Sequence, residues 1–280
     1  TNKNAEDFKI EKTNNRNFDK WETFIPAKSE TLIGGLTFLN DWIIRSEVSN
    51  ALGKIFVRNL KTNEEEEIIF SDEKVYDGGV SLLQKDKNTD LIHISYSTPK
   101  TQSRVYLYNL KTKKKELLKE QVIPSGHNPD DYIVERFDCE SHDGRKVPVT
   151  ITRHKKTKID GNANLLLYGY GSYGNSMSTG FSSTKFSLID RDIIWATAHI
   201  RGGLERGMRW WKEGKLLNKK NTFKDYIAVA KYLIEKKYTS KKKIIGMGGS
   251  AGGLLMGAVI NEAPDLFCGV VMAVPFVDSL

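Results

Sequence analysis

Cysteine is scarce in this sequence. Cys139 and Cys268 are the two cysteines among 280 residues, and 129 positions separate them. This number excludes a disulfide-rich scaffold, and the spacing does not match a cysteine metal site. We therefore expect no bound metal, no cofactor and a reducing compartment, the cytoplasm.

Long apolar segments are also missing. The most apolar stretch, residues 254–276, is interrupted by Asn261, Glu262, Pro264 and Asp265, so no membrane-spanning helix and no membrane partner are predicted. The first thirty residues contain no apolar run, which predicts that no signal peptide is present. The chain does not begin with methionine, and we expect its start to have been trimmed.

The composition, 39% hydrophobic and 28% charged, is typical of a globular protein, and the length favours two domains. The net charge of +8 is concentrated in residues 121–280, which carry +7 against +1 for residues 1–120. A basic half can attract nucleic acid, but no aromatic-basic RNA motif or recognition-helix pattern is present. We expect no nucleic-acid partner.

Two segments of the N-terminal half repeat at an offset of 50 residues. Asn-Leu-Lys-Thr occurs at 59–62 and again at 109–112, and short β-rich pieces precede each copy. Strands, a turn and a strand at this period are typical of a β-propeller blade, with an antiparallel meander as the alternative. We predict that residues 1–120 form an all-β partial propeller of two to three blades.

The pattern changes after residues 121–130, which contain Pro124, Gly126 and Pro129 and which we interpret as a linker. A β-hairpin is predicted across Asp143-Gly144. Short apolar runs at 164–168, 193–198 and 243–247 are typical of strands covered on both faces, and the periodicity predicts a helix over 222–236 with an N-cap at Asn221-Thr222. Alternating strands and helices indicate a mostly parallel α/β sheet.

Residues 248–253 form a G-x-S-x-G motif between the last predicted strand and a helix. In such a nucleophile elbow the serine, here Ser250, lies on a strained turn, and the flanking glycines avoid collisions with the strand and the helix. A structural Gly-Ser turn is the alternative. A phosphate-binding loop is less favoured, because the lysine of a P-loop is absent.

Acyl transfer also needs donors for the oxyanion. The backbone N–H of Ala251 is the first candidate, since the residue after the nucleophile supplies one donor in elbow enzymes. A second should come from the loop after an earlier strand, where three tyrosines alternate with glycines at 168–174. This loop is interpreted as part of the site, and a flexible turn with aromatic packing is the alternative.

Several motifs over residues 165–280 together resemble the prolyl oligopeptidase family, most closely its oligopeptidase B branch. The resemblance implies an α/β-hydrolase domain preceded by a β-propeller, with peptides cleaved in the cavity between them, and for this branch cleavage of short peptides after Arg or Lys. It also implies that the hydroxyl of Tyr170 joins the oxyanion hole and that Tyr173 lines the primary specificity pocket. The motifs are LYGYGSYG at 167–174, RGGLERGMRW at 201–210, GKLLNKKNTFKDY at 214–226, GGSAGG at 248–253 and PFVD at 275–278.

Four positions depart from the family pattern. Leu204 replaces a glycine and Arg206 an apolar residue, which changes the turn after Arg201. Ser178 and Gly180 stand where oligopeptidase B members carry two carboxylates that favour a second basic side chain. A preference for dibasic substrates is therefore not expected.

The general base is missing from the expected place. In α/β-hydrolases the triad follows the order Ser, acid, His, but all five histidines precede Ser250. His199 is interpreted as a core histidine and Asp278 as a structural loop residue. We expect residues 131–280 to be the N-terminal and central part of a catalytic domain whose triad Asp and His lie outside this chain.

We therefore expect an internal or truncated piece of a serine peptidase that is inactive by itself. It should pair with a complementary C-terminal fragment or form a homodimer, and short peptides should be the substrates of the complete enzyme. An esterase-type α/β-hydrolase and a non-catalytic interaction module are the alternatives.

Overall fold

The computed structural model describes residues 1–14, 18–70, 73–82, 86–275 and 277. Within these residues, the N-terminal part forms two four-stranded antiparallel sheets, ordered β3-β4-β5-β6 and β10-β9-β8-β7, and a two-stranded sheet β1-β2. The strands are β1 (Ile10–Lys12), β2 (Glu22–Ile25), β3 (Thr31–Phe38), β4 (Trp42–Ser49), β5 (Leu52–Asn59), β6 (Glu65–Glu67), β7 (Asp77–Ser81), β8 (Leu91–Ser97), β9 (Arg104–Asn109) and β10 (Lys115–Glu120).

The sequence repeat corresponds to two turns of the same geometry. The side chain of Asn59 accepts hydrogen bonds from the backbone N–H groups two and three residues later, at 2.8 and 3.2 Å, and Asn109 does the same at 3.0 and 2.8 Å. Asn63 and Lys113 then have positive φ angles of 63° and 60°. Such Asx turns join β5 to β6 and β9 to β10, so the predicted blade repeat is confirmed.

The second part contains one six-stranded sheet within the described ranges, ordered β11-β12-β14-β13-β15-β16. The hairpin β11-β12 is antiparallel, as predicted, and β14, β13, β15 and β16 run parallel to one another. The predicted α/β architecture is thereby confirmed. The elements are β11 (Tyr132–Glu140), β12 (Lys146–His154), β13 (Leu165–Tyr168), α1 (Ser183–Ile189), β14 (Ile194–Ala198), α2 (Gly207–Lys212), α3 (Lys220–Glu235), β15 (Ile244–Gly249), α4 (Ala251–Glu262) and β16 (Phe267–Ala273), with 3-10 turns at Pro129–Asp131, Leu216–Asn218 and Pro264–Leu266.

Helix α3 packs on the centre of this sheet. Tyr226, Val229 and Leu233 recur at three and four residues and are fully buried, and the hydroxyl of Tyr226 donates to the carbonyl of Leu167 at 2.5 Å. The predicted N-cap is wrong, because the helix begins at Lys220. The hydroxyl of Thr222 instead donates to the carbonyl of Arg201 at 2.8 Å, since this loop leaves a buried carbonyl that needs a donor.

The two parts of the chain contact each other through the turn between β4 and β5 and through the segment before β1. The N–H of Ala51 donates to the carbonyl of Glu205 at 2.7 Å, and the carboxylate of Asp7 accepts from the N–H of Met208 at 2.6 Å. The division at residues 121–130 stays a prediction. No helix in the described ranges is both long and apolar enough to cross a lipid bilayer.

A buried ion pair holds the carboxyl edge of the sheet together. The guanidinium of Arg201, which follows β14, donates to both carboxylate oxygens of Asp225 on α3, at 2.6 and 2.8 Å. It also donates to both oxygens of Asp143 in the β11-β12 turn, at 2.6 and 3.1 Å. The hydroxyl of Ser141 donates to Asp225 at 2.5 Å. Three separate segments therefore meet at one guanidinium.

Replacing Asp225 with alanine should lower the free energy of unfolding by about 3–5 kcal/mol, because Arg201 and Asp225 are both buried and removal of one partner leaves an uncompensated charge. Urea unfolding followed by tryptophan fluorescence measures this change. Lys224→Ala, at the exposed neighbouring position, should change the free energy by less than about 0.5 kcal/mol. Equal stability of the two variants would contradict the interpretation.

Candidate active site

Ser250 lies on a sharp turn between β15 and α4. Its backbone angles are φ 54° and ψ −116°, a region that non-glycine residues rarely adopt. Its side chain is exposed. A Cβ atom on Gly248 would overlap the backbone carbonyl group of Gly252. The turn therefore has the strain and the small flanking residues that the elbow motif predicts.

The tyrosine loop lies beside this turn because of the strand order. β13 and β15 are parallel neighbours with Tyr168 opposite Met247, and the chain leaves β13 toward β14 on one side and later returns to β15 on the other. Loops at such a switch point meet outside the carboxyl ends of the strands. The ring of Tyr170 is 3.5 Å from the position of a Cβ on Gly252. Ser250 and Tyr170 are thus brought to the same edge.

Three contacts hold the tyrosine loop in place. The ammonium of Lys219 donates to the carbonyl of Gly171 at 2.6 Å and to the hydroxyl of Ser172 at 2.7 Å. Gly202, at φ 107°, packs so closely against the carbonyl of Gly171 that no side chain would fit. Tyr173 has φ 56° and is 69% exposed, so its ring faces solvent at the rim of this loop.

Ala251 is the first residue of α4. The N–H groups of a first helical turn have no carbonyl one turn earlier to accept their hydrogen bonds, and the helix dipole favours negative charge there. The N–H of Gly253 is already used, since it donates to the carbonyl of Ser250 at 2.8 Å. An anion forming next to Ser250 would therefore meet the positive end of α4.

No histidine contacts Ser250 among the described residues, which include all five histidines. His199 is fully buried, and its Nε2 is hydrogen-bonded to the hydroxyl of Thr150 at 2.9 Å. Burial, reinforced by the charges of Arg136 and Lys185, holds the pKa of His199 well below its usual range, so the ring is neutral. β13 separates β14 from β15, which puts His199 about 10 Å from the elbow.

The two departures after Arg201 have structural partners. Leu204 packs against Gly174 at the end of the tyrosine loop, with its Cδ1 3.2 Å from the position of a Cβ there. The guanidinium of Arg206 pairs with Asp138 at 3.2 Å and donates to the side chain of Asn50 at 3.2 Å. Arg206 therefore links the α/β part of the chain to the turn between β4 and β5.

Glu205 anchors the end of the same loop. One of its carboxylate oxygens accepts from the N–H of Met177 at 3.0 Å, and the other is buried without a hydrogen-bond partner within the described residues. Burial raises the pKa of Glu205 to about 7, although this hydrogen bond and the charge of Arg136 act against it. The carboxyl group of Glu205 is therefore only partly ionised near neutral pH.

Ser178 and Gly180, the positions at which the two carboxylates are absent, face the sheet β10-β9-β8-β7. The hydroxyl of Ser178 donates to the carboxylate of Asp77 at 2.5 Å, and Gly180 lies so close that a Cβ there would be 3.2 Å from the same carboxylate. Asp77 has no ion pair within the described part of the chain. A carboxylate is thus present at this place, but it comes from β7.

Sequence reasoning missed two contributors to the site, Lys219 and Asp77. Lys219 belongs to a motif that carried the family resemblance, but the sequence showed nothing of what it touches. Asp77 is 101 positions from Ser178 and has no motif of its own. Asp278, the other acid considered above, lies outside the described residues.

Two family models match the chain, one in each part. Residues 1–121 match "Prolyl oligopeptidase, N-terminal beta-propeller domain", and residues 179–280 match "Prolyl oligopeptidase family". The matched regions contain the blade repeat and the Ser250 elbow respectively.

Similar proteins extend across both parts. "Dipeptidyl aminopeptidase BI" of Pseudoxanthomonas mexicana is 39% identical over 92% of this chain, and "Protease 2" of Moraxella lacunata is 40% identical over 74%. The structure of oligopeptidase B from Trypanosoma brucei with covalently bound antipain superposes on 91% of the chain with a TM-score of 0.85 and 32% identity.

These similarities concern part of each relative. The chain spans 35% of the length of the first relative, 30% of the second and 37% of the trypanosomal structure. Since the two family models fall on opposite ends of the chain and the relatives align through the region between them, the chain belongs to the prolyl oligopeptidase family of serine peptidases.

Proposed function

We propose that this chain supplies the nucleophile of a peptidase that hydrolyses short peptides through an acyl-enzyme formed on Ser250. The observation that carries this proposal is the strained, exposed Ser250 at the strand switch point, next to the Tyr170 loop and the N-terminus of α4. In this mechanism the Ser250 hydroxyl attacks the scissile carbonyl. The backbone N–H of Ala251 and the hydroxyl of Tyr170 stabilise the resulting oxyanion.

The attack requires a base, because a serine hydroxyl is a weak nucleophile until a partner removes its proton. His199 is neutral but buried and bonded to Thr150, so it does not serve Ser250. We propose that the 280-residue chain by itself has no peptidase activity, and that the missing triad Asp and His are supplied by a complementary C-terminal segment.

The isolated 280-residue chain should not turn over an arginyl-aminomethylcoumarin reporter above the rate of its Ser250→Ala variant. Without a triad member, what remains is at most a residual of about a thousand- to ten-thousand-fold over water. Fluorescence release at micromolar protein measures this rate. Turnover that Ser250→Ala abolishes would contradict the proposed inactivity.

In the longest natural protein that contains residues 1–280, a fluorophosphonate probe should label Ser250, and the label should be lost in Ser250→Ala. Peptide mapping by mass spectrometry locates the label. A folded protein that leaves Ser250 unlabelled would overturn the peptidase proposal in favour of a non-catalytic interaction module. Hydrolysis of small acyl esters but not of peptides would favour an esterase.

We further propose that the cleaved peptides carry basic side chains, with cleavage after Arg or Lys. Support for cleavage after Arg or Lys comes from the resemblance to oligopeptidase B. The carboxylate of Asp77, beside Ser178 and Gly180 and without an ion pair in the described residues, supports a site for a second basic side chain, and this proposal replaces the expectation from the sequence that such a preference is absent. A carboxylate at this position attracts a guanidinium or an ammonium group. Tyr173 is proposed to line the primary specificity pocket.

Asp77→Asn should raise KM about tenfold for a substrate with two adjacent basic residues and leave KM unchanged for a substrate with one. Loss of one charge-assisted hydrogen bond corresponds to about 1.4 kcal/mol. Asp86→Asn, at an exposed position between β7 and β8, is the matched control. Steady-state kinetics of the two peptides measure the change, and equal KM values for native protein and Asp77→Asn would contradict this role.

Dipeptidyl aminopeptidase activity is a second candidate, because a protein of that name is 39% identical over 92% of the chain. Release of dipeptides from peptides with a free N-terminus, but not from N-acetylated ones, would favour it. Cleavage of both would favour the oligopeptidase proposal.

We propose the cytoplasm as the compartment of this protein, in keeping with the two free cysteines, Cys139 and Cys268.

The outer edge of β16 is proposed to be covered in the assembled protein. Val271 and Met272 are 44% and 43% exposed, and Val274 is 84% exposed. Exposed apolar side chains on an edge strand favour association. We propose that the complementary C-terminal segment covers this edge, and that a homodimer forms in its absence. Light scattering at rising concentration tests this, and a monomer throughout would contradict the dimer.

A further inference from the structure

Lys219 occupies a position in the fold that is unfavourable for a positively charged side chain. It is the N-cap residue of α3, where the helix dipole disfavours positive charge, and its side chain makes no capping hydrogen bond. Desolvation by burial lowers the pKa of its ammonium to about 8. No carboxylate within the described residues pairs with it. An unpaired, half-buried cation has a cost in stability that its contacts must explain.

Both hydrogen bonds of this ammonium are made with the tyrosine loop. The ammonium donates to the carbonyl of Gly171 at 2.6 Å and to the hydroxyl of Ser172 at 2.7 Å. It also lies 5.9 Å from the centre of the ring of Phe223. Gly171 and Ser172 directly follow Tyr170, so the ammonium is hydrogen-bonded to the two residues next to the proposed oxyanion donor.

On the opposite side the loop packs against the turn after Arg201, and the N–H of Gly174 donates to the carbonyl of Gly202 at 2.9 Å. Gly171 has φ 67°, and its Cα faces the carbonyl of Arg201 and the methyl group of Thr222 so closely that a Cβ would overlap both. The hydrogen bonds from Lys219 are an additional anchor, and they act on the residues that directly follow Tyr170. Charge-assisted hydrogen bonds are about twice as strong as neutral ones, which makes a lysine suited to the task.

We propose that Lys219 is a positioning residue for the oxyanion step, holding Gly171 and Ser172 so that the hydroxyl of Tyr170 is aimed at the reacting carbonyl. This inference rests on the proposed function, since it assigns Tyr170 to the oxyanion. The charge of Lys219, which no carboxylate neutralises within the described residues, also favours negative charge that develops beside the same loop.

The test uses the longest natural protein that contains residues 1–280. Lys219→Met should lower kcat about ten- to a hundredfold with KM within about twofold, because an oxyanion donor acts in the transition state rather than in substrate binding. Lys219→Arg should recover kcat to within about threefold of the native value. Lys220→Met, at the exposed adjacent position, is the control and should leave both parameters unchanged.

The pH profile separates positioning from simple structural support. In the native protein kcat should fall as pH rises above about 8, because the ammonium loses its proton and its charge-assisted hydrogen bonds weaken. In Lys219→Arg this fall should be absent up to about pH 10, since guanidinium stays protonated. An identical alkaline limb in both proteins would overturn the proposal. Among the described residues, Lys215 and Lys220 lie on the same segment as Lys219, and Tyr170 and Tyr173 lie in the loop that it contacts. Arg201, paired with Asp143 and Asp225, lies in the turn that packs against Gly171.

Hydrogen exchange gives a readout that does not depend on catalysis. In the loop, the N–H of Gly174 donates to the carbonyl of Gly202 at 2.9 Å, and the N–H of Asn175 donates to that of Ser172 at 3.0 Å. Both amides should exchange about tenfold faster in Lys219→Met than in Lys220→Met, with unchanged rates in β15. Equal exchange rates would overturn the proposal.

Failure of this inference can be told apart from failure of the proposed function. Labelling of Ser250 by fluorophosphonate together with an unchanged kcat in Lys219→Met would overturn the role of Lys219 alone. Absence of labelling in the folded native protein would overturn the proposed function and the positioning role with it.

Discussion

The arrangement of the site depends on the buried pair between Arg201 and Asp225. Two charges removed from water are stable together only when their hydrogen bonds are satisfied, and here Asp143 and Ser141 complete them. This requirement fixes the turn after β14 against α3 and against the β11-β12 hairpin. The carbonyl of Arg201 is then placed for Thr222, and Gly202 is placed for Gly171. The tyrosine loop inherits its position from a network that does not itself touch Ser250.

The elbow adds strain to this rigid frame. Ser250 has a positive φ on the turn between β15 and α4, and the glycines on both sides allow the close approach of strand and helix. The switch in strand order then brings the loops after β13 and β15 together. The N-terminal part contacts the α/β part through Asp77, which accepts from Ser178, and through Asn50, which accepts from Arg206.

Much of the fold could be predicted because its signals are local. The Asn59 and Asn109 turns follow from side chains that bond their own backbone, and the runs at 164–168 and 243–247 became the strands β13 and β15. The predicted N-cap of α3 at Asn221-Thr222 is wrong, because the hydroxyl of Thr222 donates to the buried carbonyl of Arg201 instead. The contacts of Lys219 and Asp77 could not be predicted, since they join residues 48 and 101 positions apart and leave no periodic pattern.

The amino-acid sequence alone determined the residue types of the elbow and the tyrosine loop, the two-part organisation and the absence of any histidine after Ser250. These properties depend on local backbone geometry and on the order of residues along the chain, and both can be derived from the amino-acid sequence. Tertiary structure decided which charges are paired, that His199 is buried against Thr150, and that a carboxylate from β7 reaches the place of the missing acids. Those interactions depend on burial and on contacts between residues that are distant in the sequence, and both arise only when the chain has folded.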